Sequence, residues 1–172
     1  RARVNLVMNN WQAAADDAAK AISTSGATPY SITEASQPNF SNSEDHNFMW
    51  AVYVQEVDRV VTSGIINWPS HMGSLNYGYA SVGAWRYINK ALYNSIPDTD
   101  CRKGWFLNED AQSSNLSANQ AAYVASNSIP AYTQVKFAPY QGVLGTSTNA
   151  CDIPLMRVEE MYLIQAEATA MA

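Results

Sequence analysis

Residues 1–23 carry the clearest periodic pattern of the chain. Apolar side chains and alanines recur there every three or four positions, while Asp16 and Lys20 fall on the opposite side, one helical turn apart. Gly26 follows as a C-terminal stop, because glycine adopts the left-handed conformation without strain. The pattern predicts one amphipathic helix, and its small alanine side chains let a second helix approach closely.

A second helix is predicted over residues 154–171. Pro154 suits its first turn, where the missing amide hydrogen costs nothing. Apolar residues cover most of the circumference, and the main apolar face consists of Leu155, Val158, Tyr162 and Ala166. Such a helix is expected to lie between other helices.

The charged strip of this helix consists of Arg157, Glu160 and Glu167. Glu160 and Glu167 lie on one face, about 10.5 Å apart along the helix axis. Glycosidase carboxylates instead flank a sugar from opposite sides of a cleft. We therefore expect structural ion pairs, with Arg157 bound to Glu160, three residues away, or to a loop carboxylate.

Between the two ends, regular structure is predicted only in short pieces. The pattern of apolar positions predicts a helix over residues 82–95 and a strand over residues 133–137. The apolar run 48–54 fits a short strand or a buried helical turn, because periodicity does not separate the two. Loops are predicted over the polar residues 24–47 and 104–128. The fold class is therefore mainly α, with long loops and little β-structure.

Composition excludes several classes of function. A chain of 172 residues with 47% apolar residues predicts one folded domain, residues 1–172. The net charge is −5 and the ten basic residues are scattered, which argues against nucleic acid as a partner. No apolar stretch approaches the roughly 20 residues of a membrane span. Neither a glycine-rich phosphate loop nor a serine nucleophile motif is present, so we expect no cofactor and no enzyme.

The aromatic segment, residues 65–79, is the candidate ligand-binding site. Sugars present flat apolar faces edged with hydroxyl groups, which aromatic rings and amide groups match. Loops held by a scaffold commonly carry such binding residues. Alternatively, its rings fill the joint between helices, as Trp50 and Trp85 are expected to do in the core. The expected ligand contacts are Trp68, Tyr77, Tyr79, Asn67, Asn76 and His71.

A second charged cluster contains Asp98, Asp100 and Arg102. Carboxylates bind calcium, but the glycine and distal glutamate of an EF-hand loop are missing, so a structural calcium ion is unsupported. An Asp–Arg clamp that fixes the turn is the favoured interpretation. Cys101 and Cys151 lack zinc-site spacing, and the sequence leaves open whether they form a disulfide.

Three motifs in order resemble the SusD/RagB family. The first is Leu92-Tyr-Asn-Ser-Ile-Pro-Asp-Thr-Asp-Cys-Arg102, and the second is Lys136-Phe137. The third, Asp152-Ile-Pro-Leu-Met-Arg157 followed by Glu160, Tyr162-Leu-Ile and Ala166-Glu-Ala, is similar to the C-terminal hallmark of the family. The resemblance covers residues 85–172 well and residues 1–23 more loosely.

The resemblance implies tetratricopeptide-like helix packing and a non-catalytic lipoprotein on the bacterial outer membrane. Such proteins bind oligosaccharides and deliver them to a TonB-dependent transporter. The lipid anchor and signal peptide of the family are absent from this chain. Because the chain begins and ends inside helical patterns, we expect it to be part of a longer protein. The alternative function is a helical scaffold that binds protein partners.

Overall fold

The computed structural model describes residues 1–64 and 66–172, and 42% of the chain is helical. Strands β1 (Phe48–Val52) and β2 (Ile153–Arg157) pair in a two-stranded sheet. With this sheet the chain is helix-rich but mixed α/β. Within the described ranges no helix is both long enough and apolar enough to cross a membrane. The chain's helices are α1 (Ala2–Val7), α2 (Trp11–Ser25), α3 (Ile32–Ser36), α4 (Arg59–Thr62), α5 (Trp68–Met72), α6 (Lys90–Ser95), α7 (Ala118–Ser126) and α8 (Val158–Met171), with 3-10 turns at Cys101–Trp105 and Tyr140–Gly142.

The chain divides into two compact units. The helical unit consists of Arg1–Tyr30, Glu44–Ala51 and Pro154–Ala172. The loop-rich unit consists of Ser31–Ser43 and Val52–Ile153. The single domain over residues 1–172 stays a prediction.

The helical unit is built on the contact of α2 with α8. Alanine loses no side-chain rotamer entropy on burial, and its small size lets the two helix backbones come close. Ala14 and Ala18 of α2 and Ala168 of α8 are fully buried. The buried cluster comprises Ala2, Ala14, Ala15, Ala18, Met161, Ile164 and Ala168. The alanine pattern therefore marks a close helix contact, as the sequence indicates.

The helix predicted over residues 1–23 is interrupted. It breaks between α1 and α2 because Asn9 adopts the left-handed conformation, with φ +60°. Asparagine tolerates this conformation better than most residues, so the pattern of apolar positions alone did not reveal the break. Gly26 ends α2 with φ +71°, which confirms the predicted stop.

The predicted start of the C-terminal helix at Pro154 is wrong. Residues 153–157 form β2, and α8 begins only at Val158. Pairing with β1 outweighs the local helix preference, and proline is tolerated on the edge strand of a sheet. The buried face also differs from the prediction, since Tyr162 is 44% exposed. A helix that is apolar on all sides does not reveal its buried side; here that side consists of Val158, Met161, Ile164 and Ala168.

Glu160 binds Arg3 of α1. Both carboxylate oxygens accept hydrogen bonds from the Arg3 guanidinium, whose Nη2 also donates to the Leu155 carbonyl at 2.6 Å. Arg157 precedes α8 in an extended conformation, so the spacing rule for helical neighbours does not apply to it. Its Nη1 lies 4.0 Å from Glu159 Oε1, and Glu167 is exposed.

The beginning of α8 is joined to two loops of the helical unit. The Val158 N–H donates to the Asn47 carbonyl at 2.9 Å. Glu159 Oε1 accepts bonds from the Tyr30 N–H at 3.0 Å and from Asn47 Nδ2 at 2.9 Å. A carboxylate in a first helical turn is also favoured by the helix dipole. The first turn of α8 therefore positions the two loops.

Shorter elements replace the two predicted in the loop-rich unit. The helix predicted over residues 82–95 is reduced to α6, because Gly83 has φ +113° and the Asn89 side chain caps α6. The strand predicted over residues 133–137 is replaced by isolated bridges. These join Tyr87 with Thr133, Phe106 with Gln134 and Asn39 with Phe137. Neighbouring loops thus satisfy backbone groups that the prediction assigned to a continuous strand.

Two segments predicted as loops contain helices. Both α3 and α7 begin with a capping box, formed by Ser31 with Glu34 and by Ser117 with Gln120. Both pairs match the capping-box pattern in the sequence. The segments around them have low hydrophobicity, which favours the prediction of a loop. Of the two alternatives for residues 48–54, the structure contains the strand, β1. The expected core position of Trp50 is wrong, since its side chain is 59% exposed.

Lys136 joins aromatic rings of the loop-rich unit. Its Nζ lies 4.7 Å from the ring centre of Phe40 and 4.5 Å from that of Trp105. Phe40 is buried and meets Trp105 edge to face. Cation–π attraction strengthens when the cation is partly desolvated, as it is between two rings. A separate buried cluster consists of Leu75, Leu107, Val124, Ile129 and Val135.

Asp152 joins three stretches of the loop-rich unit. Its Oδ2 accepts the Ser43 N–H and its Oδ1 accepts the Val54 N–H, each at 2.8 Å. Its own N–H donates to the Ser41 carbonyl at 3.0 Å. The residue is 6% exposed, so both bonds of the carboxylate are shielded from water. Asp152 is therefore a structural anchor.

We expect Asp152→Asn to lower the free energy of unfolding by about 2 kcal/mol. The amide nitrogen would face one of the two backbone N–H groups and leave it unsatisfied. Urea denaturation followed by circular dichroism measures the change. Asp110→Asn, at an exposed position, is the matched control and should change stability little. Equal stability of both variants would contradict the anchoring role.

Candidate functional site

Helix α5 positions the first half of the aromatic segment. The segment begins at Ile65, which lies outside the described residues. Asn67 caps the helix by accepting the Ser70 N–H at 3.0 Å. Pro69 follows in the first turn, where proline needs no hydrogen-bond partner. Trp68 therefore projects from the first turn of a short, capped helix.

Asn149 holds the segment from beneath. Its backbone carbonyl accepts Asn67 Nδ2 at 2.9 Å, and its Oδ1 accepts Asn76 Nδ2. Its own Nδ2 donates to the carbonyls of Tyr77 and Ser147, at 3.2 and 3.0 Å. Asn149 is 2% exposed. No local motif marks this residue in the sequence, so only the structure reveals its role.

Asn67 and Asn76 face the protein interior. They are 9% and 3% exposed. Asn67 Nδ2 also donates to the Val60 carbonyl at 2.9 Å, so this side chain joins three stretches of backbone. The two amides therefore serve chiefly to hold the aromatic segment in place.

The structure brings His71 and Tyr79 together. Their rings stack with centres 4.3 Å apart and an angle of 21° between the planes. The Tyr79 N–H donates to Ser70 Oγ at 2.7 Å, which fixes the tyrosine over α5. Arg86 Nη2 lies 3.3 Å from His71 Nδ1. Tyr79 remains 42% exposed, so the stacked pair presents a ring to solvent.

Trp68 and Tyr77 are held by different partners. Trp68 meets Phe137 edge to face, with ring centres 5.1 Å apart, and is 36% exposed. Tyr77 is 52% exposed, and its N–H donates to the Thr146 carbonyl at 2.8 Å. A ring on a backbone that is already ordered can take up the apolar face of a ligand at a reduced entropic cost.

A small pocket lies beside Trp68. Its walls include Met72, Phe137, Ala138 and Cys151, and its volume is about 10 Å³. A cavity of this size holds one group as large as a water molecule. The sequence did not predict this pocket, because its walls come from segments about seventy residues apart.

A larger cleft lies around the 3-10 turn of residues 101–105, with a volume of about 610 Å³. Tyr93 and Phe106 contribute rings, and Asn108 and Gln112 contribute amides. Asn108 Oδ1 accepts the N–H groups of Asp110 and Gln112 at 2.9 and 2.8 Å, so it is already engaged in the turn. The cleft is polar and open, and none of its residues was among the predicted ligand contacts.

The charged residues at this cleft form local ion pairs. Arg102 Nε and Nη2 donate to Asp100 at 2.9 and 2.6 Å, and the Arg102 N–H also donates to Oδ1. Asp98 binds Lys103 at 2.6 Å. Hydrogen bonds from Arg102 lower the pKa of Asp100 to about 2. Within residues 1–64 and 66–172, no three His, Cys, Asp or Glu side chains cluster as metal ligands.

The two cysteines are free thiols in the structure. Cys151 is buried, and its Sγ lies 3.6 Å from the Ala138 carbonyl. Burial raises the pKa of Cys151 to about 11. Cys101 is only half-buried. Because the thiolate is the reactive form, the two thiols differ in exposure and in reactivity.

We expect native protein at pH 8 to react with iodoacetamide at Cys101 and not at Cys151. The raised pKa keeps Cys151 protonated, and burial blocks the reagent. Peptide mass spectrometry after brief labelling measures each site. Labelling in urea is the control, since both thiols should then react. Rapid native labelling of Cys151 would contradict the buried position.

We expect the Asp100–Arg102 coupling to disappear in acid. The pKa of Asp100 falls from 3.8 to about 2 on folding, so its contribution is present above pH 4 and is lost as the pH falls through 2. The effect is small because the pair is exposed to solvent. Urea denaturation of Asp100→Asn, Arg102→Gln and the double variant at pH 5 and pH 2 measures the coupling. Equal coupling at both pH values would contradict this pairing.

Comparison with known proteins returned no match to any family model and no match among curated proteins. The three motifs quoted above therefore carry the family resemblance by themselves.

Proposed function

We propose that the chain is a non-catalytic glycan-binding module of the SusD/RagB kind. The observation that carries this proposal is the exposure of Trp68, Tyr77 and Tyr79 on one short segment. Single exposed rings are common on protein surfaces, but several exposed rings on one short segment favour a binding surface. The apolar face of a pyranose ring fits such a surface.

The support beneath the rings favours binding. Asn149 and Asn67 fix the backbone of the segment through buried hydrogen bonds. The backbone that carries the rings therefore keeps its position before a ligand arrives, and binding costs less conformational entropy. Stacking of His71 on Tyr79 adds rigidity to one of these rings. A preformed surface of this kind suits a ligand that has a flat apolar face and no net charge.

The position of Glu160 supports a function without catalysis. A glycosidase needs a pair of carboxyl groups that flank the sugar. Glu160 is instead engaged by Arg3 through both oxygens, and Glu167 is exposed on the same helix. Capture and release of the glycan need no covalent step.

The family resemblance extends the proposal to location and partner. We place the protein on the outer membrane as a surface lipoprotein that passes oligosaccharides to a TonB-dependent transporter. Tetratricopeptide-like packing is part of the same proposal, and close contact of α2 with α8 through alanines supports it. No nucleic acid and no cofactor are required.

A helical scaffold for protein partners is the second candidate. Apolar side chains on the surface of the helical unit favour it. Val7 of α1 is 82% exposed, and Leu163 of α8 is 71% exposed. A protein partner that covers these residues would bury apolar area without using the aromatic segment. The two candidates therefore predict different sensitive residues.

We expect glycan binding to weaken at least about tenfold in Trp68→Ala and Tyr79→Ala. A glycan array identifies a bound oligosaccharide, and calorimetry with that oligosaccharide measures its affinity for each variant. Removal of either ring takes away an apolar contact with the sugar.

Two variants serve as matched controls. Tyr162→Ala removes a tyrosine of nearly the same exposure, 44%, from the helical unit. Gln112→Trp fills the polar cleft around residues 101–105. Both should leave the affinity unchanged. Loss of binding in Gln112→Trp alone would move the site to the cleft, and absence of binding to every glycan would refute the proposed function.

A further inference from the structure

The guanidinium group of Arg86 is held against the imidazole ring of His71. Its Nη2 lies 3.3 Å from His71 Nδ1, and its Nη1 donates to the Ala84 carbonyl at 2.8 Å. The backbone carbonyl of Arg86 accepts the Gln134 N–H at 2.8 Å, which fixes the chain at this point. Bonds of the backbone and of the side chain therefore both position the guanidinium group.

This contact fixes the hydrogen of the His71 ring. A guanidinium group has donors and no acceptor, so Nδ1 must accept the bond and carries no hydrogen. The ring hydrogen therefore lies on Nε2. Rotation of the ring by 180° would place a C–H group against the Arg86 N–H and lose the bond. Arg86 thus selects both one tautomer and one orientation of the ring.

The Nε2 atom of His71 is accessible to a ligand. His71 is half-buried, and its Nε2 makes no hydrogen bond within the part of the chain that the structure describes. It is also not one of the buried side-chain atoms that lack a partner there, so water reaches it. A ligand oxygen can take the place of that water and keep the hydrogen bond.

The stacked rings place this donor beside an exposed tyrosine. His71 lies against Tyr79 with ring centres 4.3 Å apart, and Tyr79 is 42% exposed. The Nε2–H bond lies in the imidazole plane, which is inclined by only 21° to the tyrosine ring. The donor therefore points outward from the edge of the stack. A ligand that covers Tyr79 and extends past this edge meets the donor.

We propose that His71 donates a hydrogen bond from Nε2 to a hydroxyl oxygen of the bound sugar, with Arg86 as the positioning residue. The inference rests on the proposed glycan binding and adds a directed polar contact to its aromatic rings. Asn67 and Asn76 face the interior, so they do not supply this contact. The site then favours a sugar with a hydroxyl group at the edge of the face that covers Tyr79.

The tautomer of His71 tests the role of Arg86 without a ligand. Nitrogen-15 NMR at pH 8, where a free imidazole group is uncharged, distinguishes the two ring nitrogens. His46 is the only other histidine, so assignment is direct. We expect the Nε2–H form in the native chain and a mixture of both forms in Arg86→Met. The Nδ1–H form in the native chain, or no change in Arg86→Met, would overturn the positioning role.

Sugar affinity tests the contact with the ligand. Calorimetry uses methyl β-glucopyranoside, methyl β-galactopyranoside, methyl β-mannopyranoside, methyl β-xylopyranoside and the oligosaccharides that the array identifies. His71→Phe keeps an aromatic ring on Tyr79 and removes the donor, so binding should weaken about fivefold through loss of one hydrogen bond. His46→Phe is the matched control in the helical unit and should leave the affinity unchanged. Unchanged affinity in His71→Phe would overturn the hydrogen bond.

A double variant separates action through His71 from direct contact with the ligand. Arg86→Met should weaken binding about twofold, because only part of the molecules then present the donor. In the His71→Phe background the same change should have no effect. A further loss in that background would replace the positioning role by a direct contact. Absence of binding to every sugar would overturn the proposed function and the ligand contact, whereas the tautomer still decides the role of Arg86.

Discussion

Long loops impose the central constraint on this protein, because their backbone N–H and C=O groups lack the partners that helices and sheets provide. Buried side chains supply the missing hydrogen bonds. Asp152 accepts two backbone N–H groups, and Asn149 donates to two carbonyls. Asn47 joins its loop to the start of α8 in the helical unit. The many asparagines of the chain are thus structural parts of its loops, and their number need not reflect ligand binding.

This constraint determines what the candidate site can offer a ligand. Amides that hold backbone have their donors and acceptors inside the protein, so Asn67 faces inward although its neighbours in sequence are exposed. The large exposed side chains of the segment are Ile66 and the three rings of Trp68, Tyr77 and Tyr79. Polar groups provide rigidity and aromatic rings provide contact area. The sequence-based interpretation instead predicted that both the amide groups and the aromatic rings contact a ligand.

Local signals predicted parts of this structure well. Gly26 ends α2, and the alanines of α2 lie against α8, because turn chemistry and side-chain size act over a few residues. The start of α8 and the partner of Glu160 depended on contacts more than 100 residues away, with β1 and with Arg3. Asn149 carries no local signal at all. The aromatic segment was identifiable by composition, whereas its support and its pocket required the fold.

The charges of the loop-rich unit fit a neutral ligand. Asp100 with Arg102, Asp98 with Lys103 and Lys90 with Glu109 neutralise each other at the surface. Arg86 contacts the aromatic segment through His71 and is half-buried there. A sugar without charge gains little from an electrostatic field, so its binding depends on covered ring area and on a few directed hydrogen bonds. Affinity of that origin is modest and release is fast, which is the behaviour that the proposed transfer to a second protein requires.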